Sequence, residues 1–598
     1  MAIFPGLKMA AAMPRWLLPA GAILLVGACS LGPETPRPKP NIVVVIADDQ
    51  GWGDLSVHGN GNLATPNIDS LARDGALFDR FFVAPVCSPT RAELLTGRYH
   101  PRGGVYSTSA GGERLDLDER TLADTLLAGG YRTGAFGKWH NGSQHPYHPN
   151  ARGFEEFYGF TSGHWAQYFD PVLEHNSEIV RGDGFIIDDL TDKALSFMEE
   201  AGERPFFAYI AYNTPHSPMQ VPDRFWEKFA DAELAQRHRE PEKENLPHTR
   251  AALAMVENID WNVGRILTKL DELDAAENTI VLYMSDNGPN GSRWNGGMKG
   301  RKGSTDEGGV RVPALMRWPA GIDAGAEIPE IAAAVDLLPT FAELAGVEIV
   351  GDKPLDGRSL APLLTGADQE WPDREIVSTW RDRMSVRNQR FRFDTDGALF
   401  DMSEDPEQRT DVSAEHPEIA RRLGEVAQLA GDEFAAALGE DDRAHPVGEA
   451  ETTWLPARDA RAAGGVERSN RFPNSSYFLN WKSTEDMVSW DVEVSTPGEF
   501  LVTLYYACAD GDEGASIALS FLDASLEGVI AEAHDVPLIG SADDRVERQE
   551  SYTKDFRPLE LGRLEMEPGR GPLTLRATAI PGREALELHS LVLTRVEP

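Results

Sequence analysis

The sequence predicts an α/β protein: a large, mostly parallel mixed sheet flanked by helices, a small C-terminal antiparallel-sheet subdomain, and an added β-sandwich-like module. Three observations carry this. Continuous apolar runs at residues 42–47, 206–211 and 279–284 read as strands buried on both faces of a parallel sheet. Between them, residues 67–73, 122–127, 189–198 and 250–273 show helical spacing, so strands and helices alternate. From about residue 450 the pattern changes to short alternating segments such as 488–494, 500–506 and 573–577, divided by Pro, Gly and Asp turns.

Taken in order, the chain opens with Lys8 and Arg15 ahead of an apolar run from Trp16 to Ala28, too short to span a membrane, so residues 1–28 read as an export signal. The run ends in Val26-Gly27-Ala28-Cys29, which resembles the bacterial lipoprotein cleavage box, whose cysteine is lipidated; the alternative is a plain signal peptide with an incidental cysteine. Pro33, Pro36, Pro38 and Pro40 suit an extended tether over residues 29–40. These features predict a periplasmic or outer-membrane lipoprotein of a bacterium, with secretion as the alternative and a lipid anchor as the one membrane contact. The α/β domain then covers residues 41–374. Shorter elements and a helical pattern at 417–438 mark a small α+β subdomain over 375–449, and residues 450–598 form the sandwich-like accessory module.

A chain of 598 residues is too long for one ordinary core, and its 41% hydrophobic and 26% charged content is that of a globular protein. With 57 Lys+Arg against 96 Asp+Glu, the net charge of −39 excludes nucleic acid as a natural partner. An anionic substrate would need a local basic pocket. The three cysteines, Cys29, Cys87 and Cys508, lie in unrelated contexts and form no disulfide framework; Cys508, in an apolar segment, reads as buried and inert.

In an open α/β sheet, ligands gather beyond the carboxyl ends of the strands, so the polar groups after each apolar run should converge. Asp48 and Asp49 follow the first run, and Asp286 and Asn287 follow the run at 279–284. A single Asp pair at a strand end is more often a cap or turn, but two pairs on matching strand ends make an all-oxygen set suited to a hard divalent cation, calcium first. Lys138 and His140 sit two residues apart after the extended segment 130–136, on the same side if the chain stays extended. His216, in Pro215-His216-Ser217-Pro218, follows the run at 206–211. Lys302 opens the segment that ends Glu307-Gly308-Gly309-Val310-Arg311-Val312-Pro313, and Lys299 is near enough to compete with it. His145 and His148 have metal-ligand spacing but do not fit an oxygen-rich set, and read as loop residues near the pocket rim.

Cys87-Ser88-Pro89-Thr90-Arg91, with the helix-like Ala92-Glu93-Leu94-Leu95-Thr96-Gly97-Arg98 after it, resembles the CxPxR maturation motif of the type I, formylglycine-dependent sulfatases, arylsulfatase-like members of the alkaline phosphatase superfamily. Gly137-Lys138-Trp139-His140, the His216 tetrapeptide and the Lys302 segment also match that family. So do Arg152 to Phe160, residues 256–267, and Leu399-Phe400-Asp401-Met402 with Asp405-Pro406, for a resemblance over roughly residues 40–430. It implies an alkaline-phosphatase-like fold and a maturation enzyme that oxidises Cys87 to formylglycine. The hydrated aldehyde then offers one hydroxyl to attack sulfur and a second whose deprotonation expels sulfate. By the same resemblance, Asp48, Asp49, Asp286, Asn287 and the modified Cys87 hold calcium, or sometimes magnesium. Arg91 keeps formylglycine and the metal ligands in register, Lys138 binds sulfate, and His140 takes the proton of the second hydroxyl. His216 or Lys302 protonates the leaving alcohol.

The implied activity is hydrolysis of sulfate esters of sulfated carbohydrates or aryl compounds. Two alternatives stand beside it. A formylglycine-dependent phosphonate monoester or phosphodiester hydrolase would share fold and metal. A catalytically decayed carbohydrate-binding surface protein would rely on the terminal module, where Trp454, Trp481 and Trp490 could stack on sugars; yet aromatic residues in a sandwich are more often core, and every catalytic position is filled as the family requires.

Overall fold

Strand β1 (Asn41–Ala47) sets the architecture, because its side chains feed two separate cores: Val43, Val45 and Ala47 enter one, and Ile42, Val44 and Ile46 the other. A strand with no polar face must be covered on both sides. Six helices do this in the computed structural model, which describes residues 38–367 and 371–596. They are α1 (Pro66–Arg73), α2 (Cys87–Thr96), α3 (Leu122–Ala128), α4 (Ile186–Glu199), α5 (Leu246–Glu272) and α6 (Leu337–Ala345). Helices α1, α4 and α5 pack into the first core, and α2, α3 and α6 into the second. Fully burying each large aliphatic side chain of β1 is worth about 1.5–3 kcal/mol, so a charge placed in this strand would disrupt both layers. The expected export signal over residues 1–28, Cys29 and most of the expected tether lie outside the described residues.

The sheet continues with β2 (Ala76–Phe78), β3 (Arg132–Lys138), β4 (Glu156–Phe160), β5 (Val172–His175), β6 (Glu178–Arg181), β7 (Phe206–Ala211), β8 (Thr279–Ser285), β9 (Ala314–Arg317) and β10 (Ala326–Ile328). Their spatial order is β10-β2-β9-β8-β1-β7-β3-β4-β5-β6. The five central strands, β8 through β4, run parallel. Strand β9 on one flank and the β5–β6 hairpin on the other bring antiparallel pairings, so the sheet is mixed but mostly parallel, in agreement with the sequence. Ala47 pairs with Ser285, Ile46 with Ala211, and Gly137 with Ala211. The residues that follow these strands therefore emerge along one rim.

Strands β11 (Ile376–Trp380), β12 (Arg383–Arg387), β13 (Phe391–Asp394) and β14 (Leu399–Asp401) form an antiparallel meander. Helix α7 (Pro417–Leu438) packs on it through Leu423, Ala427 and Phe434. Beyond it, two six-stranded sheets enclose a further core that contains Trp481, Trp490, Phe500, Leu504, Tyr506, Cys508 and Leu575. One of these sheets takes in His445–Val447, ahead of residue 450, parallel to Met487–Val494. Trp481 and Trp490 are fully buried, whereas Trp454 is half-buried against Tyr505, with ring centroids 5.1 Å apart.

Candidate active site

The rim beyond β1, β8, β7 and β3 gathers the residues that the sequence singled out. Asp48 and Asp49 leave β1, Asp286 and Asn287 leave β8, Lys138 ends β3, and His216 lies in the loop after β7. Helix α2 aims its first residue, Cys87, at this rim and carries Arg91 one turn further along; its preceding residue, Val86, is extended and offers no capping side chain. The ligand atoms of Asp48, Cys87 and Asp286 lie within 4.8 Å of one another, as do those of Asp48, Asp49 and His216.

Each charge here has a specific partner. Lys138 Nζ donates to Asp48 Oδ2 at 2.6 Å, and Lys302 Nζ meets Asp49 Oδ1 at 2.6 Å. Arg91 donates through Nη2 and Nε to Asp286 Oδ2 at 2.8 and 3.2 Å, and through Nη1 to the Lys138 carbonyl at 2.6 Å. Asn287 Nδ2 donates to Asp49 Oδ1 at 2.8 Å. Lys299 turns away to pair with Asp306 at 3.1 Å, so Lys302 is the lysine that reaches the site.

Burial is the largest single influence and would raise both carboxyls, but Lys138, His216, Arg91 and Lys302 together outweigh it at Asp48, and Lys302, His216 and the Asn287 hydrogen bond together outweigh it at Asp49, so both are held below the usual carboxylate range. At Asp286 burial and the charge of Asp48 prevail over Arg91, and its carboxyl is pushed up. Burial also pushes up the Cys87 thiol. Asp48 Oδ1, Asp49 Oδ2 and Asn287 Oδ1 are buried without a hydrogen-bond donor. Three orphaned oxygens beside Asp286 are costly unless a cation satisfies them, and a hard divalent ion fits that donor set.

Asp49 takes a left-handed backbone, φ 68°, a conformation that costs a non-glycine residue about 1–3 kcal/mol. Arg293 offsets this by donating to the Asp49 carbonyl at 2.8 Å while its Nε and Nη2 grip the buried Asp54 at 2.7–2.9 Å.

The two imidazoles are fixed from behind. His140 Nε2 lies 2.9 Å from the Thr108 carbonyl, which can only accept, so Nε2 carries the proton and the buried, unpartnered Nδ1 keeps its lone pair. Burial and then Lys138 hold this imidazole well below its usual pKa. His216 Nδ1 lies 2.6 Å from the Ser217 carbonyl, which by the same reasoning leaves Nε2 facing Asp49 Oδ2 at 3.6 Å. One expectation needs correction. The chain does not stay extended through Lys138 and His140: His140 turns at φ 69°, and the turn, rather than strand alternation, aims its ring. Gly163 lets it approach, since a Cβ there would stand 2.5 Å from His140 Nε2.

Sequence reasoning overlooked His164, Tyr168 and the Asp54–Arg293 pair. His164 is buried, stacks on His216 with centroids 5.9 Å apart, and has an unpartnered Nε2. Tyr168 OH reaches the carbonyls of Asn213, His216 and Ser217 at 3.0–3.2 Å. Both follow β4, a member of the same parallel set, so the strand-end rule would have found them had that segment been read as a strand. His145 and His148 stack on each other, and His148 pairs with Glu174 at 2.6 Å. They line a separate cavity of about 380 Å³ between the β5–β6 hairpin and the C-terminal module, walled also by Trp165, Trp454, Tyr505 and Phe556. None of the residues gathered at the rim lines it.

The Sulfatase family model matches residues 40–347, and that described as N-sulphoglucosamine sulphohydrolase, C-terminal, matches residues 302–425. The chain is 33% identical over 404 residues to N-acetylgalactosamine-6-sulfatase of Canis lupus familiaris, covering 61% of this chain and 72% of that protein. It is 30% identical over 549 residues to steryl-sulfatase of Rattus norvegicus, covering 68% and 91%. The crystal structure of Ps i-CgsB in complex with k-i-k-neocarrahexaose superposes with a TM-score of 0.61 at 31% identity, over 67% of this chain and 94% of that one.

Proposed function

Since the chain belongs to the sulfatase family, we propose that it hydrolyses sulfate esters of carbohydrates through a formylglycine made from Cys87, in a site completed by calcium. That it is a sulfuric ester hydrolase follows from the family. The finer reading is supported above all by one observation: the first turn of α2 meets the ends of β1 and β8 so that Cys87, Asp48 and Asp286 point at a common spot. A saccharide substrate is favoured by the named substrate of the dog relative and by the oligosaccharide held by Ps i-CgsB; the steryl-sulfatase likeness is why aryl and steroid esters belong in the assay.

The residues divide the work by position. With its thiol pushed up by burial, unmodified Cys87 is mostly protonated at neutral pH and a poor nucleophile; formylglycine supplies the hydroxyl oxygens for attack on sulfur and for release of sulfate. Asp48, Asp49, Asp286, Asn287 and residue 87 would hold calcium, or magnesium, which when bound neutralises sulfate charge and polarises the reacting centre. Asp48, Asp49 and Asp286 offset Arg91, Lys138 and Lys302, so a dication leaves the pocket positive and able to draw a sulfate ester into a chain of net charge −39. Lys138 and Lys302 present ammonium groups to the anion. His140 Nδ1 accepts a proton, its other nitrogen being engaged by Thr108. As an imidazolium His216 would carry a second proton on Nε2, and that nitrogen and the Lys302 ammonium are the two groups able to protonate a departing alcohol. Arg91 is fully buried and positions Asp286 and the end of β3.

Sulfate release from an aryl sulfate and a panel of defined sulfated sugars, run beside an aryl phosphonate ester, tests the substrate class. Turnover of the phosphonate with none of the sulfates would overturn it. Mass spectrometry of the Cys87 peptide from active protein tests the nucleophile; a thiol as the sole form would remove it.

The proposal extends to the N-terminus: export through residues 1–28, lipidation of Cys29, and a periplasmic or outer-membrane location, with the formylglycine-generating enzyme as the maturation partner. Among the described residues no helix is long and apolar enough to cross a membrane. Palmitate incorporation that disappears in Cys29→Ser checks the anchor.

A further inference from the structure

Both imidazoles of the site are one hydrogen bond removed from the C-terminal module. The Thr108 carbonyl that fixes His140 Nε2 at 2.9 Å also accepts from Asn474 Nδ2 at 3.3 Å. Asn474 is itself held, its carbonyl accepting from Ser162 Oγ at 2.8 Å, and the next residue, Ser475, donates through Oγ to the His164 carbonyl at 3.0 Å. On the other side of the site, Ser217 Oγ donates to Glu550, and the Ser217 carbonyl is the acceptor that fixes His216 Nδ1 at 2.6 Å. Glu550 ends a stretch bound along the His216 loop: Gln220 Nε2 donates to the Gly540 carbonyl at 2.8 Å and to Asp544 at 2.9 Å, and Arg545 donates from its backbone to the Met219 carbonyl at 2.9 Å and from its guanidinium to the Val221 carbonyl at 2.7 Å.

We propose that the C-terminal module is part of the catalytic apparatus, with Asn474 as the positioning residue for His140 and Glu550 as the positioning residue for His216. The physical requirement is plain. Each ring works only if one nitrogen is locked so that the other faces the reacting atoms, and each lock is a backbone carbonyl on a loop. A loop carbonyl is only as fixed as the groups that tie it down: Asn474 holds the Thr108 carbonyl directly, and Glu550 anchors the side chain of Ser217, whose carbonyl Tyr168 OH also reaches at 3.1 Å. A module that served only to hold a polymer would leave hydrolysis of a small ester unchanged; this one should not. The inference rests on reading His140 and His216 as the proton-transfer groups.

The test uses the full-length protein and a small aryl sulfate, which needs no polymer recognition. Asn474→Asp keeps the side-chain shape but turns the donor toward Thr108 into an acceptor, whereas Asn474→Ala removes the donor and leaves a gap. Misplacing a reacting group by about 1 Å can cost ~10²-fold, so Asn474→Asp is expected to lower kcat by about 10-fold or more, with KM within about twofold, and to be worse than Asn474→Ala. A purely structural role reverses that order, because the isosteric change would be the milder one. In parallel, Glu550→Gln, which retains an acceptor for Ser217, should keep most of the activity that Glu550→Ala loses. Thermal unfolding of each variant separates a folding defect from a positioning defect, and if Asn474→Asp fails to fold, the Glu550 pair decides.

Wild-type kcat in both Asn474→Asp and Glu550→Ala would overturn the proposal, as would losses confined to KM on polymeric substrates. If the matured wild-type protein releases no sulfate from any ester, it is the assigned reaction that fails rather than this coupling.

Discussion

Arg91 holds Asp286 through two donors on a single oxygen, Nε and Nη2 reaching Oδ2 at 3.2 and 2.8 Å with both side chains fully buried, while Oδ1 accepts the Asp49 N–H at 3.2 Å. One carboxylate thus ties helix α2 to two strand ends. A lysine cannot reproduce that fork. Arg91→Lys is expected to lower kcat by ~10²-fold or more, and Arg91→Ala to lose about 3–5 kcal/mol of stability by stranding a buried charge. Aryl sulfate kinetics and urea unfolding check the pair; an Arg91→Lys variant with unchanged kinetics would contradict the role.

The two neighbouring lysines make opposite predictions. Lys302 is engaged with Asp49 inside the site, and Lys299 is nearly half exposed on Asp306. Lys302→Ala should cost ~10²-fold or more in kcat/KM, and Lys299→Ala less than about twofold. Equal losses in both would mean that the geometry has been misassigned.

Removal of divalent ions should be felt in the fold as well as in turnover. A ligand that binds the native state alone adds about 2.7 kcal/mol at a concentration 100 times its Kd, and without it the orphaned oxygens of Asp48, Asp49 and Asn287 stay unsatisfied. Exhaustive chelation is expected to lower both Tm and activity, with calcium restoring both. Unchanged Tm and activity after chelation would rule the ion out.

Glu93, on the same helix as Cys87, gives a pH signature. Burial pushes its carboxyl up to about 8, only partly opposed by the His100 N–H at 3.4 Å. Its folded pKa lies above the unfolded value of 4.5, so its contribution is fully favourable below pH 4.5 and is lost as pH rises toward 8. Glu93→Gln should therefore leave stability at pH 4.5 little changed and raise it at pH 8 by about 4 kcal/mol, one pKa unit being worth ~1.4 kcal/mol. Denaturant unfolding at both pH values reads the difference; parallel pH profiles for the two proteins would show that the group stays ionised when folded.

Cys87→Ala should abolish the reaction while sparing the fold. The side chain is small and sits at a helix start, so the expected stability change is about 1 kcal/mol or less, against a loss of ~10³-fold or more in kcat. Residual activity near wild type would move the nucleophile elsewhere.

How much of this could be read from the sequence depends on how locally each feature is encoded. The runs that became β1, β7 and β8 are apolar without interruption because both faces are covered, and the residues after them inherited a site by the geometry of parallel sheets. Helix α7 was legible to the residue, since Pro417 opens it and its apolar stripe is regular. Strands β2, β9 and β10, on one flank of the sheet, are only three or four residues long and carry no such signal. His140 illustrates the limit at the site: its place near Lys138 is visible in the motif, but the turn that aims it depends on Gly163 and Thr108 from other loops. Asn474 and Glu550 lie in segments with no motif at all, and their relevance appears only when chain regions more than 300 residues apart are brought together.

The burial of Cys87, only 3% exposed within the first turn of α2, has a last implication on the proposed maturation. The thiol is open to a modifying enzyme while the chain is still being made or translocated, and the folded protein shuts it away. Each molecule is therefore sorted once, at birth, into a competent or an incompetent form, with no later repair. On that proposal, a host that oxidises only part of the chains would yield a mixed population, whose specific activity records the race between folding and oxidation as much as the rate of the enzyme itself. Titrating aldehyde per chain, and dividing turnover by that fraction, is the way to compare one batch or one variant with another.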